Sequence, residues 1–231
     1  MPATDFSHFS PDLLGFLVEL EANNDRAWFA DNKIRYEKEV RGPSLDFITA
    51  MAEPLAGFAP HFLAWPRKSG GSLMRIYRDV RFARDKRPYK TNVGIQFRHE
   101  AGKDVHAPGY YLHIDPHQAF VGVGAWRPAP DALGAVRQRI ADFPDKWLAA
   151  RDAPAFSLRF SLGGETLIRP PRGFDAEHPC IEDIKRKDFI AIAALEPESL
   201  FEPGLVDRVA GQFRRADAFM RFLCAAAGVR F

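Results

Sequence analysis

Cysteine is scarce: Cys180 and Cys224 are the only two in 231 residues. They stand far apart and in no metal or redox spacing, which excludes a disulfide scaffold and a cysteine metal site and fits a reducing, cytoplasmic compartment. Long apolar runs are also lacking. The longest fall short of the roughly 20 residues that cross a bilayer, so no membrane span is expected. The first ten residues lack a basic stretch followed by an apolar one, so they do not read as a secretory signal. No repeat, low-complexity tract or plausible linker divides the chain, and the expectation is one globular domain over residues 1–231. No serine sits in a glycine elbow. The run Gly122-Val123-Gly124-Ala125-Trp126 lacks the third glycine and the helix start of a dinucleotide fingerprint. Cys224 lies beside an apolar helical stripe and reads as core rather than as a nucleophile.

Phenylalanine, by contrast, is abundant, at 20 residues, enough for a large aromatic core. Apolar residues at 46% and charged residues at 27% are ordinary for a globular chain, so disorder is not expected to dominate.

The elements follow from periodicity. Ser10-Pro11 reads as a helix start, with Leu13, Leu17 and Leu20 at helical spacing. A second helix is expected from Asp25 to Val40, with Asn24 as its cap, Phe29, Tyr36 and Val40 inward, and Gly42-Pro43 as a break. Ser44 to Ala56 reads as a third. The period then changes. Leu73 to Arg78 fits a strand, and Val93, Ile95 and Phe97 alternate as a half-buried strand requires. Gly109–Asp115 and Gln118–Trp126 read as a hairpin about Pro116-His117. Helices are expected at 130–141 and 144–150, strands at 156–162 and 189–195, the latter buried, and one long C-terminal helix over 203–227. Helices, then strands, then helices predict an α+β fold. Its sheet is mainly antiparallel, with N-terminal, middle and C-terminal helices packed on it.

Charge is distributed unevenly. The net value is only +2, which counts modestly against a nucleic-acid-binding module. Yet Arg67 to Lys90 holds nine cations against Asp79 and Asp85, a local +7 that leaves −5 for the rest. Seven of those cations fall between Arg75 and Lys90. Guanidinium groups grip carboxylate or phosphate with paired hydrogen bonds, lysine adds a point charge, and a tyrosine hydroxyl can orient a ligand. Arg75, Arg78, Arg81, Lys86, Tyr89 and Lys90 are therefore the candidate anion-binding residues, with Asp79, Asp85, Arg26 and Trp28 in support. Three readings stay open: a ligand site, an internal ion network, and a solvated basic surface. Phe82, Pro88 and Tyr89, interleaved with the charges, are expected to pin the segment to the body of the protein.

The run Arg75, Arg78, Asp79, Arg81, Phe82, Lys86, Pro88, Tyr89 resembles the signature of the Domain of Unknown Function 2461 family. Shorter pieces agree: Asn24, Arg26, Trp28-Phe29 and Tyr36-Glu37, then Gly122, Gly124, Trp126 and Pro128, then Gly173-Phe174, His178-Pro179 and Lys185 to Phe189. The resemblance covers nearly the whole chain. It implies that the arginine run is a family hallmark and transfers no reaction and no cofactor.

Two further groupings bear on chemistry. His113, Asp115 and His117 alternate, as metal ligands on a strand could. Pro116 puts His117 into a turn, so a hairpin tip is preferred and neither metal nor cofactor is expected. Gly122 and Gly124 leave one strand face bare, for close packing or for a ligand. The reading that results is a protein that binds a small phosphate- or carboxylate-bearing molecule through its arginine-rich loop. The alternatives are a scaffold protein whose arginine motif is structural and, after it, a nucleic-acid-binding module.

Overall fold

Serine before proline starts the first helix as capping chemistry requires: the Asp12 N–H donates to Ser10 Oγ at 3.3 Å. The computed structural model describes residues 5–102 and 107–231. The N-terminal elements are α1 (Asp12–Ala22), α2 (Arg26–Asp31), α3 (Lys33–Arg35), a π-helical turn (Tyr36–Arg41), α4 (Gly42–Ala50) and α5 (Ala52–Phe58). Strands β1 (Phe62–Leu63), β2 (Val93–His99), β3 (Gly109–Ile114) and β4 (Ala119–Ala125) follow. After them come α6 (Pro130–Asp142), α7 (Pro144–Arg151), α8 (Pro154–Ser157), β5 (Ser161–Leu162), α9 (Ile181–Ile184) and β6 (Phe189–Leu195). A 3-10 turn (Pro197–Phe201) leads to α10 (Leu205–Arg215) and α11 (Asp217–Ala226).

The fold is α+β. The strands form one antiparallel sheet in the order β1-β2-β3-β4-β6-β5. Alternation sends Val93, Ile95 and Phe97 of β2, Tyr110 and Leu112 of β3, and Val121 and Val123 of β4 to one buried face. Helices cover that face: Phe213 of α10 lies 4.8 Å from the Tyr110 ring and Phe47 of α4 lies 6.5 Å from Phe97, centroid to centroid. The hairpin closes where Pro116-His117 places it, with the Asp115 N–H donating to the Gln118 carbonyl at 3.0 Å.

Several expectations need correction. Gly42-Pro43 does not break the chain into separate helices. Pro43 has no N–H and would crowd the carbonyl four residues back. The π turn immediately before it loosens the spiral there, and the Ser44 hydroxyl donates to the Val40 carbonyl at 2.6 Å. The third helix is interrupted at Met51. The strand expected at 156–162 shrinks to Ser161–Leu162, because Phe156 and Phe160 are also one helical turn apart. The Phe160 N–H donates to the Phe156 carbonyl at 2.8 Å, the rings stack at 5.1 Å, and Leu158 is left 80% exposed. The C-terminal helix bends into two at Ala216. Strand β6 is buried on one face only, with Ile192 37% exposed on the other. Asn24 is not the cap of α2. Asp25 is, accepting from the Ala27 and Trp28 N–H groups at 2.9 Å each.

Candidate functional site

Among the described residues, none that lines the cavity on the second face of the sheet belongs to a helix. Gln96 and Arg98 of β2, Tyr111 and His113 of β3, Phe120 and Gly122 of β4, and Ile190 and Ile192 of β6 point there. Above them passes the chain from Lys68 to Arg75, and together they enclose a cavity of about 790 Å³. Trp126, Phe120, Ile190, Ile192 and Met74 make most of the wall apolar, while Arg75, Lys90, Asn92, Arg98, Tyr111 and His113 gather polar groups on it. The volume suits a small organic molecule with few, convergent polar contacts.

The basic segment reaches this cavity by an irregular hairpin. The strand expected at 73–78 is reduced to bridging residues: Leu73 pairs with Ile95 and Tyr77 with Tyr89. The first arm takes four steps between those bridges, Leu73 to Tyr77, and the second takes six, Tyr89 to Ile95. The second arm therefore bulges. A bulge re-aims side chains, and here Lys90 and Asn92 lie within it and face the cavity.

The six candidate anion ligands separate into two groups. In the middle of the segment the cations already have partners. Arg78 donates to Asp85 at 2.7 Å and to the Arg87 carbonyl at 3.2 Å, and Arg87 donates to Asp85 at 2.9 Å. Arg81 forms a two-pronged pair with Asp79, at 3.0 and 2.7 Å. Lys86 donates to the Val80 and Arg81 carbonyls at 3.0 and 3.4 Å. The hydrogen bonds from Arg81 hold the Asp79 carboxyl down at about 2, and those from Arg87 and Arg78 hold Asp85 lower still. Tyr89 is buried and stacks on Phe29 at 4.1 Å, so its ring is structural.

At the two ends the situation differs. Arg75 and Lys90 both line the cavity, and among the described residues neither side chain is hydrogen-bonded or ion-paired. Burial pushes the Lys90 amine below its ordinary pKa, and the Arg75 charge beside it pushes in the same direction. Arg98, also on the wall, donates to the Gly70 and Gly71 carbonyls at 3.2 and 3.3 Å and, among the described residues, meets no carboxylate. The supporting residues lie elsewhere. Arg26 is exposed, Trp28 packs 5.6 Å from Phe16, and the cavity wall includes neither. Phe82 does not pin the segment: it is 96% exposed at the loop tip, and the anchoring falls to Tyr89.

Sequence reasoning missed a polar chain beside the cations. Tyr111, His113 and Asp115 occupy every second position of one strand and its end, and so share a face. The Tyr111 hydroxyl lies 3.1 Å from His113 Nδ1, and His113 Nε2 lies 2.8 Å from Asp115 Oδ2. Asp115 accepts only, which assigns the proton to Nε2 and leaves Nδ1 to accept from the phenol. The Asn92 amide lies on the same cavity wall and favours the ionised form of the phenol. Burial pushes the Tyr111 hydroxyl up to about 12, with the Asn92 amide opposing it. Burial would also raise the Asp115 carboxyl. Hydrogen bonds from His113, His117 and Gln118 outweigh that and hold it below the carboxylate range. His113 is fixed by stacking on Phe120 at 4.6 Å. Gly94, opposite His113, leaves room for the chain, since a Cβ there would stand 2.7 Å from the Tyr111 oxygen. The alternation within Gly109–Asp115 was the available signal.

His117 turns away from this chain to Glu21, 3.1 Å away. Among the described residues no group of three His, Cys, Asp or Glu is placed to hold a metal ion. Gly122 forms part of the cavity wall. Gly124 has φ +113, and a Cβ there would meet the Phe189 carbonyl, so close packing decides that position.

The family model described as conserved hypothetical protein (DUF2461) matches residues 12–222, a span that contains the whole cavity wall. No curated protein and no solved structure matches the chain.

Proposed function

We propose, for a chain that belongs to the conserved hypothetical protein family DUF2461, that it binds a small organic anion in the cavity on the second face of its sheet. The anionic group, a carboxylate or phosphate, sits between Arg75 and Lys90. An apolar body lies toward Phe120 and Trp126. One observation carries this reading: exposed Arg75 and half-buried Lys90 line one cavity wall and, among the described residues, have no hydrogen-bond or ion-pair partner, while Arg78, Arg81, Lys86 and Arg87 between them in sequence are all paired. Two neighbouring cations, one of them half-buried, repel each other, and an anion placed between them relieves both costs.

The second reading, a structural arginine network, is favoured by the Arg78–Asp85–Arg87 and Arg81–Asp79 contacts. It applies to the middle of the segment and leaves its two ends free for ligand. A cytoplasmic location fits Cys180 and Cys224, both buried as free thiols. No helix among the described residues is long and apolar enough to cross a membrane.

Thermal unfolding tests the proposal. Inorganic phosphate and phenyl phosphate, added at constant ionic strength, are expected to raise the melting temperature with concentration, since binding to the native state alone stabilises it. Arg75→Ala and Lys90→Ala should abolish that rise, and Arg81→Ala should keep it. No rise in the parent protein, or an equal rise in Arg75→Ala and Lys90→Ala, contradicts the proposal.

A further inference from the structure

We infer that the polar end of this cavity is a reactive centre, in which Tyr111 exchanges its proton with a bound organic anion through His113 and Asp115. The inference rests on the reading of the cavity as a ligand site and adds an activity to it.

The geometry has the order that proton transfer requires. The phenol O–H points at His113 Nδ1 over 3.1 Å, and the opposite ring nitrogen is 2.8 Å from a carboxylate. A base held by a third group is the arrangement that activates a hydroxyl. The Asn92 amide on the same wall favours the ionised phenol, so negative charge developing on the Tyr111 oxygen has a polar neighbour to offset it. Arg75 and Lys90 stand on the same wall and would hold the anionic group of a ligand beside that oxygen. A purely structural tyrosine would need one partner for its hydroxyl. This one faces a cavity, its partner is itself held by a carboxylate, and it depends on a glycine opposite to make room for its oxygen.

The step balances without a co-reactant. The bound anion loses a proton from a hydroxyl, or from a carbon made acidic by a neighbouring carbonyl or carboxylate. The Tyr111 oxygen takes that proton as its own passes to His113 Nδ1. The imidazolium so formed is held by Asp115. Reversal returns a proton to the ligand, at the same atom or at an adjacent one, so the class of reaction is isomerisation or exchange by proton transfer. Burial disfavours a free phenolate at Tyr111, so the proton must leave through His113 rather than to solvent.

The test needs no knowledge of the natural ligand. Benzenesulfonyl fluoride carries an aryl body that the cavity can take. Attack by the Tyr111 oxygen forms an O–S bond and breaks the S–F bond; fluoride leaves with the electron pair and the phenol proton goes to His113. Mass spectrometry of the intact chain and its peptides gives the rate at each tyrosine. Tyr111 is expected to react at least tenfold faster than Tyr77, which is 53% exposed and serves as an internal reference. His113→Gln and Asp115→Asn should each slow labelling of Tyr111 at least tenfold and leave Tyr77 unchanged, as removal of a general base implies. Should His113→Gln fail to fold, Asp115→Asn decides alone. A Tyr111 no faster than Tyr77, or a rate unchanged in a folded Asp115→Asn, overturns the inference. Phosphate separates it from the reading it rests on. If phosphate raises the melting temperature while Tyr111 stays unreactive, the anion seat stands and the reactive centre falls. If Tyr111 reacts fast and phosphate neither stabilises the protein nor protects the tyrosine, the seat falls.

Discussion

Asn24 holds the backbone of Tyr89 from both sides. Its amide donates to the Tyr89 carbonyl and its carbonyl accepts from the Tyr89 N–H, each at 3.0 Å. The ring of Tyr89 then stacks on Phe29 of α2. The second arm of the basic hairpin thus hangs on the entry to the second helix, next to the bulge that turns Lys90 and Asn92 toward the cavity.

Asn24→Ala leaves both Tyr89 backbone groups without that partner, in a part-buried position. A loss of roughly 1–3 kcal/mol is expected, together with faster amide hydrogen exchange at Tyr89. Urea unfolding and exchange measurements check this; an unchanged Tyr89 exchange rate would show that the clamp does not hold the arm.

The opposite outcome is expected for Phe82. Its ring is almost fully exposed, so Phe82→Ser should change stability by no more than about 0.5 kcal/mol. A melting curve shifted by several degrees would mean that the loop tip packs against something after all.

Phe213 joins α10 to the sheet, touching the rings of Tyr110 and Phe97. It is fully buried, so Phe213→Ala should cost about 3–5 kcal/mol. Chemical denaturation giving a loss below about 1 kcal/mol would place that helix at the periphery.

Alkaline pH should weaken the fold. Burial pushes the Tyr36 and Tyr111 hydroxyls up to about 12 from an ordinary 10.0. Between those values the folded state holds protons that the unfolded state has released, so stability falls as pH rises. The contribution is fully present below pH 10 and lost by about 12, roughly 2–3 kcal/mol for each ring. Urea unfolding across that range should show the decline, and Tyr111→Phe should make it shallower. A decline equally steep in Tyr111→Phe would mean that this hydroxyl titrates normally.

Alternation and turn chemistry made much of the fold legible. Val93, Ile95 and Phe97 showed one buried face, and Pro116-His117 showed the hairpin. Phe156 and Phe160 could not be resolved from spacing, because four residues is two strand repeats and also one helical turn. The site was half visible. The run of cations marked the right segment, but their partners decide their roles. Asp79–Arg81 and Asp85–Arg87 are pairs two residues apart, a local pattern that could have been subtracted from the seven cations, though Arg78, Arg84 and Lys86 would still have stood beside Arg75 and Lys90. That both ends meet above the sheet is set by the register of the hairpin and its bulge, which no local pattern encodes. Tyr111 carries no metal-ligand signal, and only the alternation from Tyr111 through His113 to Asp115 places it with the imidazole and the carboxylate.

A crystal structure of the protein soaked with phenyl phosphate tests the central claim most directly. The phosphate is expected between the Arg75 guanidinium and the Lys90 amine, with the phenyl ring in the cavity toward Phe120 and Trp126. An empty cavity at saturating phenyl phosphate, or phosphate seated instead at the loop tip beside Arg81 and Arg84, would contradict it.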